Sequence, residues 1–140
     1  MIQINNVALF SSDFKHAMHK LLRTDKLEIS NALRMQALAL ELEKRLLQAR
    51  KDWVALADEL VELDEQGNYA VKDGDFVWKN PENAIENKRR IEEFGMTLHE
   101  IDAPKFELKY FNAVGLSPTD LSVMSGFFKS PEQPKKLKLV

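Results

Sequence analysis

The chain has 140 residues, a length that suits one domain with a sizeable core, and its 44% apolar and 30% charged composition excludes disorder as the default state. A net charge of −2 argues against a generic binder of nucleic acid or anionic membrane, and the absence of cysteine excludes disulfides, a thiol nucleophile and thiolate-bound zinc. No apolar run reaches the roughly 18 residues of a membrane span, and no basic segment precedes an apolar stretch near Met1, so a cytoplasmic protein is expected.

Ile2 and Ile4 alternate with polar neighbours and predict a short edge strand before the turn signal Asn5-Asn6. Ser12 is the predicted cap of a helix through about residue 22, with an apolar stripe of Phe14, Ala17, Met18, Leu21 and Leu22. A long central helix is predicted over about 28–66. There Ala32, Met35, Ala39, Leu42, Leu46, Ala49, Trp53, Leu56, Leu60 and Leu63 alternate three- and four-residue steps, a heptad a/d stripe without a miss. A second row, Leu33, Leu40, Leu47, Val54 and Val61, recurs every seven residues at position b, which faces water in a two-stranded coiled coil. Gln36, Glu43, Arg50, Ala57 and Asp64 form a mainly polar line between the rows, so the helix is expected to touch two neighbours.

Gly67 is the predicted helix end. Tyr69, Val71, Phe76 and Trp78 flank Asp73-Gly74, the signature of a β-hairpin with a type I′ turn. Asn80-Pro81-Glu82 starts a helix to about Phe94, with Ile85, Ile91 and Phe94 inward and Gly95 as terminator. Residues 96–101 and 105–111 read as strands. Ser117-Pro118-Thr119-Asp120 starts a last helix, to about Phe128, presenting Leu121, Met124 and Phe128. Two prolines and four lysines in residues 129–140 predict a mobile basic tail. The expected fold is α+β and predominantly helical, one domain over 1–128, with a hairpin and a small antiparallel sheet. A helix over 28–66 would span about 58 Å, against a diameter near 37 Å for a compact globule of this length. The molecule is therefore expected to be elongated, or the helix bent or protruding. Trp53 fits a tight parallel two-stranded seam poorly, so the helices at 13–22 and 82–94 are expected to pack on the long one.

Little in the chain suggests catalysis. His16 and His19 lie three apart with Asp13 one turn earlier, a spacing that can supply two metal ligands, but the sequence places no further ligand and a solvated surface is the expectation. A metal-dependent hydrolase would have to be built on that pair. His99 reads as structural. There is no GxSxG, HExxH, P-loop or dinucleotide fingerprint, so no catalytic residue, metal or cofactor is expected. Asp58, Glu59, Glu62, Asp64 and Glu65 crowd the predicted end of the long helix, where the macrodipole is already negative. They read either as a solvated end or as a docking point for a basic partner, including the chain's own Lys88-Arg89-Arg90.

In the order of its parts the chain resembles a family of small uncharacterised proteins of tailed bacteriophages and prophages. The resemblance rests on the Ile2-Gln3-Ile4 start and on the brief helix ending in Lys20-Leu21-Leu22. It continues in the long Leu/Ala-rich helix ending in Glu62-Leu63-Asp64-Glu65-Gln66-Gly67-Asn68, the small hairpin, and the helix start Leu116-Ser117-Pro118-Thr119-Asp120-Leu121. It implies a phage-encoded protein made in the bacterial cytoplasm and supplies no catalytic residues.

The expected function is a non-enzymatic protein-interaction factor: a phage accessory, assembly or host-directed protein acting through a helical surface. Its partner would be a second copy, another phage protein or a host protein. The partner-binding residues expected are Leu40, Leu47, Val54 and Val61, with Asp58, Glu59 and Glu62 second; ordinary core and solvated rim are the competing readings. The alternative is a nucleic-acid-contacting regulator using Lys88, Arg89 and Arg90 with the tail residues Lys135, Lys136 and Lys138.

Overall fold

The N-terminal alternation forms strand β1 (Ile2–Asn5), and its two isoleucines are buried while Gln3 between them is not. A computed structural model of the chain describes residues 1–129. β1 pairs antiparallel with β4 (Leu98–Ile101), with Ile2 opposite Ile101 and Ile4 opposite His99. Asn5 ends β1 by capping a single helical turn, α1 (Asn6–Leu9): its side-chain oxygen accepts from the Ala8 amide at 2.9 Å. Ser11, one residue earlier than expected, caps α2 (Ser12–Arg23), and Phe14, Ala17, Met18 and Leu21 form its buried stripe.

The long helix, α3, runs Ile29–Leu60 and is about 48 Å long. It stops six residues short of the predicted end. Val61 turns to an extended conformation and bridges Trp78, the Glu62 amide donates to Val77 O at 2.9 Å, and the Ala70 amide donates to Glu62 O at 2.8 Å. The hairpin that follows offers strand partners to the segment carrying the last turns of the heptad, and a β-branched valine suits that conformation. Gly67, at φ 80°, closes a turn and does not end the helix; Asp64 Oδ1 accepts the Gln66 and Asn68 amides there. The hairpin itself is as expected. β2 (Val71–Lys72) pairs with β3 (Asp75–Phe76) across Asp73 and Gly74, at φ 54° and 82°.

Pro81–Asn83 form a 3-10 turn that leads into α4 (Ala84–Met96). Ile85, expected inward, is 88% exposed, and Asn87 is the buried residue of this helix. Gly95 lies within the last turn. A side chain there would put Cβ 2.8 Å from Val7 Cγ2, so the glycine serves the close approach of α1 and does not terminate the helix. The strand expected at 105–111 reduces to one parallel bridge, Phe106 with Phe128; Leu108–Val114 coils into a 3-10 segment that turns Phe111 edge-on to Phe106 at 5.4 Å. α5 (Pro118–Val123) has the predicted capping box between Ser117 and Asp120. It ends five residues early, followed by a 3-10 turn at Ser125–Phe127, because Gly126 sits against β1, where an added Cβ would collide with the Gln3 carbonyl.

The fold is α+β and predominantly helical. One core joins β1, α1, α2, the first half of α3, Phe106, Phe111, Met124, Phe127 and Phe128. A smaller one joins Leu60, Val61 and Trp78 to Leu56, Phe76 and Ile91. Both α2 and α4 pack on α3. No helix among the described residues is long and apolar enough to cross a membrane.

Candidate interaction surface

A helix packed on one side leaves the other to solvent, and in α3 the two apolar rows divide accordingly. Met35, Leu42, Ala49 and Leu60 from the a/d stripe are buried, and Leu38 and Ala57 join them from outside it. In the second row Leu33, Leu40, Leu47 and Val54 are 60, 63, 54 and 49% exposed. Each lies about 10.5 Å along the axis from the next, so the row is about 31 Å long. Val61, assigned to the same row, is fully buried against Trp78, because the helix has already ended; it belongs to the core and not to this surface.

Gln36, Glu43 and Arg50 line one side of the row, and Ala37, Lys44 and Lys51 the other. On the first side the surface falls into a groove between α2 and α3 of about 610 Å³. Phe14, Met18, Leu22, Leu42 and Leu46 line it, and Lys15, His19, Glu43 and Arg50 carry its charges. A second hollow of about 720 Å³ lies between α1, α3 and α4, lined by Val7, Phe10, Trp53, Ile91, Phe94 and Met96 with Glu92 as its only ionisable residue. Sequence reasoning missed both, because their walls come from segments far apart in the chain. The one available signal was Phe10, an aromatic outside every predicted stripe.

The acidic residues expected to meet a partner are largely engaged within the chain. Asp58 Oδ1 accepts from the Tyr69 hydroxyl at 2.7 Å, which raises the pKa of that phenol, and Lys79 Nζ donates to the Asp58 carbonyl. Both Glu59 oxygens accept from Arg90, at 2.8 and 2.9 Å, and this bidentate pair holds Glu59 below the ordinary carboxylate range. Glu62 is exposed, its backbone held by Val77 and Ala70.

The basic run is paired as well. Lys88 lies 3.9 Å from Asp75, Arg89 bonds Glu86 and Glu93, and Arg90 takes Glu59. Arg89 lowers the pKa of Glu86 and its own is raised. Lys135, Lys136 and Lys138 lie outside the described residues. His16 and His19 are exposed, and among the described residues no three His, Cys, Asp or Glu side chains converge as metal ligands would.

His99 has a structural partner. The Asn6 side-chain amide donates to Phe94 O at 2.8 Å, which leaves its oxygen to accept from His99 Nε2 at 2.6 Å. Partial burial, and secondarily the charge of Arg45, lower the His99 pKa. In comparisons with known proteins, no family model, no curated protein and no solved structure matches this chain.

Proposed function

We propose that the protein is a non-enzymatic protein-interaction factor that binds its partner through the outer face of α3. It is of the accessory, assembly or host-directed kind that tailed phages encode, and it works in the bacterial cytoplasm. The observation that carries this reading is the row Leu33, Leu40, Leu47 and Val54: four large apolar side chains about half exposed, in register, on a helix already packed on its other face. Scattered surface leucines need no explanation, but four large apolar side chains recurring every seven residues along some 31 Å of one helix face do.

The test compares tagged full-length wild type with a Leu40→Asp, Leu47→Asp double variant in nuclease-treated bacterial lysate. Wild type is expected to retain one protein in stoichiometric amount. The variant is expected to lose it while unfolding within about 0.5–1 kcal/mol of wild type, as surface substitutions do. A variant that unfolds far more easily would make the row core, and equal retention by both proteins would move the binding site elsewhere. Light scattering of the purified protein settles whether the partner is a second copy.

A further inference from the structure

We propose that the segment Lys136-Leu137-Lys138-Leu139 of this chain adds a third strand to the open edge of β4. The register identifies that edge. The Asn6 amide donates to Thr97 O at 3.1 Å, which makes Asn6 with Thr97, Ile4 with His99, and Ile2 with Ile101 the pairs that exchange backbone hydrogen bonds. Leu98 and Glu100 lie between those pairs and therefore aim their N–H and C=O groups away from β1. Both residues are exposed, and among the described residues these groups have no backbone partner.

The other edge of the sheet is closed. The Gln3 carbonyl, which points away from β4, meets Gly126 so closely that an added Cβ would collide with it. The sheet thus has one sealed edge and one that offers two donors and two acceptors to an incoming strand. Strands β2 and β3 of the hairpin are two residues long and stand at the far end of α3, so they give a longer segment little to pair with.

The segment Lys136-Leu137-Lys138-Leu139 lies outside the described residues and alternates with a period of two, the pattern of a strand with one wet and one apolar side. β4 has the same two sides. Leu98 and Glu100 face solvent, His99 is half-buried and Ile101 is buried. A strand laid beside β4 shares its faces, so the lysines take the side of Glu100 and the leucines the side of His99 and Ile101.

The chain also leaves the described fold close to this edge. The Lys129 amide donates to Phe106 O at 2.9 Å, and Phe106 lines a hollow of about 220 Å³ together with Ile101, the last residue of β4. The seven steps from Lys129 to Lys136 reach up to about 23 Å when extended, and Ile101 to Leu98 is a stretch of only about 10 Å. A tethered segment meets the edge at an effective concentration on the order of millimolar, an advantage no separate peptide has.

Amide hydrogen exchange of the full-length protein, read by NMR, tests the pairing against a Lys136→Pro, Leu137→Pro variant. Consecutive residues of a strand present opposite edges, so in either register one of the two prolines removes a donor to β4. The Leu98 and Glu100 amides are expected to exchange about tenfold or more faster in the variant than in wild type. The Ile4 and His99 amides, held within the β1–β4 ladder, are expected to exchange equally in both, which shows that the variant is folded. Equal exchange of Leu98 and Glu100 in the two proteins, fast or slow, would overturn the proposal. Protection that disappears on dilution of wild type would overturn pairing within one chain and give the edge to a second copy.

Discussion

Asn6 is almost fully buried, and each of its polar groups has a partner. Its amide donates to Thr97 O at 3.1 Å, its carbonyl accepts from Phe10 N at 2.9 Å, and its side chain joins Phe94 O to His99 Nε2. A buried amide without partners would cost on the order of 1–3 kcal/mol, so this residue ties β1, α1, α4 and β4 into one arrangement. His99 adds a pH dependence. Its folded pKa is lowered, chiefly by burial, from the ordinary value of 6.5, so below that value the unfolded chain binds a proton that the folded chain resists. Stability should be fully present above about pH 6.5 and decline as the pH falls through the lowered folded value. His99→Gln keeps a side-chain donor for Asn6 and removes the titration. Urea midpoints at pH 7.5 and near 5.5 should therefore differ less for the variant than for wild type. An unchanged difference would assign the loss to other groups.

At the scale of the element, α3 shows one helix with two chemistries. Leu38 is buried in the larger core and Leu40, two residues on, is mostly in solvent. Leu38→Ala should cost about 2–5 kcal/mol, the loss of transfer free energy plus a cavity, whereas Leu40→Ala should stay within about 0.5 kcal/mol of wild type. Chemical denaturation of the two variants makes the comparison, and equal losses would mean that Leu40 is covered in the free protein. The end of α3 illustrates competition between elements. The heptad pattern continues to Leu63, and the helix stops because residues 61–63 gain ladder partners at Trp78 and Tyr69 that the helix could not offer them. The ion pairs of α4 follow the same logic. Arg90 reaches back to Glu59 on α3, Lys88 lies beside Asp75, and Arg89 bonds Glu86 and Glu93, so the basic run and Glu59 are engaged within the chain.

Across the whole molecule, α3 carries a core at each end, and Trp53 stands between them with its ring 5.5 Å from Phe94 and 6.2 Å from Phe76. Trp53→Ala should cost roughly 3 kcal/mol. It should also uncouple the hairpin end, so that Trp78 fluorescence reports unfolding at a lower denaturant concentration than far-UV circular dichroism. Coincident transitions in the variant would show that the two cores fold as one unit without the tryptophan.

Local patterns by themselves determined the fold class, the β1 strand, the I′ hairpin at Asp73-Gly74, the capping box at Ser117 and Asp120, and the existence of two apolar rows on α3. These features depend on period, turn conformation and capping, which are properties of neighbouring residues. Only the tertiary structure decided where α3 ends, that Ile85 faces out and Asn87 in, that 105–111 coils instead of extending, and that Val61 is core while Leu33, Leu40, Leu47 and Val54 are surface. It also decided that Glu59 and Lys88-Arg89-Arg90 find partners within the chain while Lys44, Arg50 and Lys51 find none among the described residues. The physical reason is common to all of these. Burial, strand pairing and ion pairing are settled by residues distant in the chain, and a periodic apolar row carries no mark of whether a neighbour will arrive to cover it.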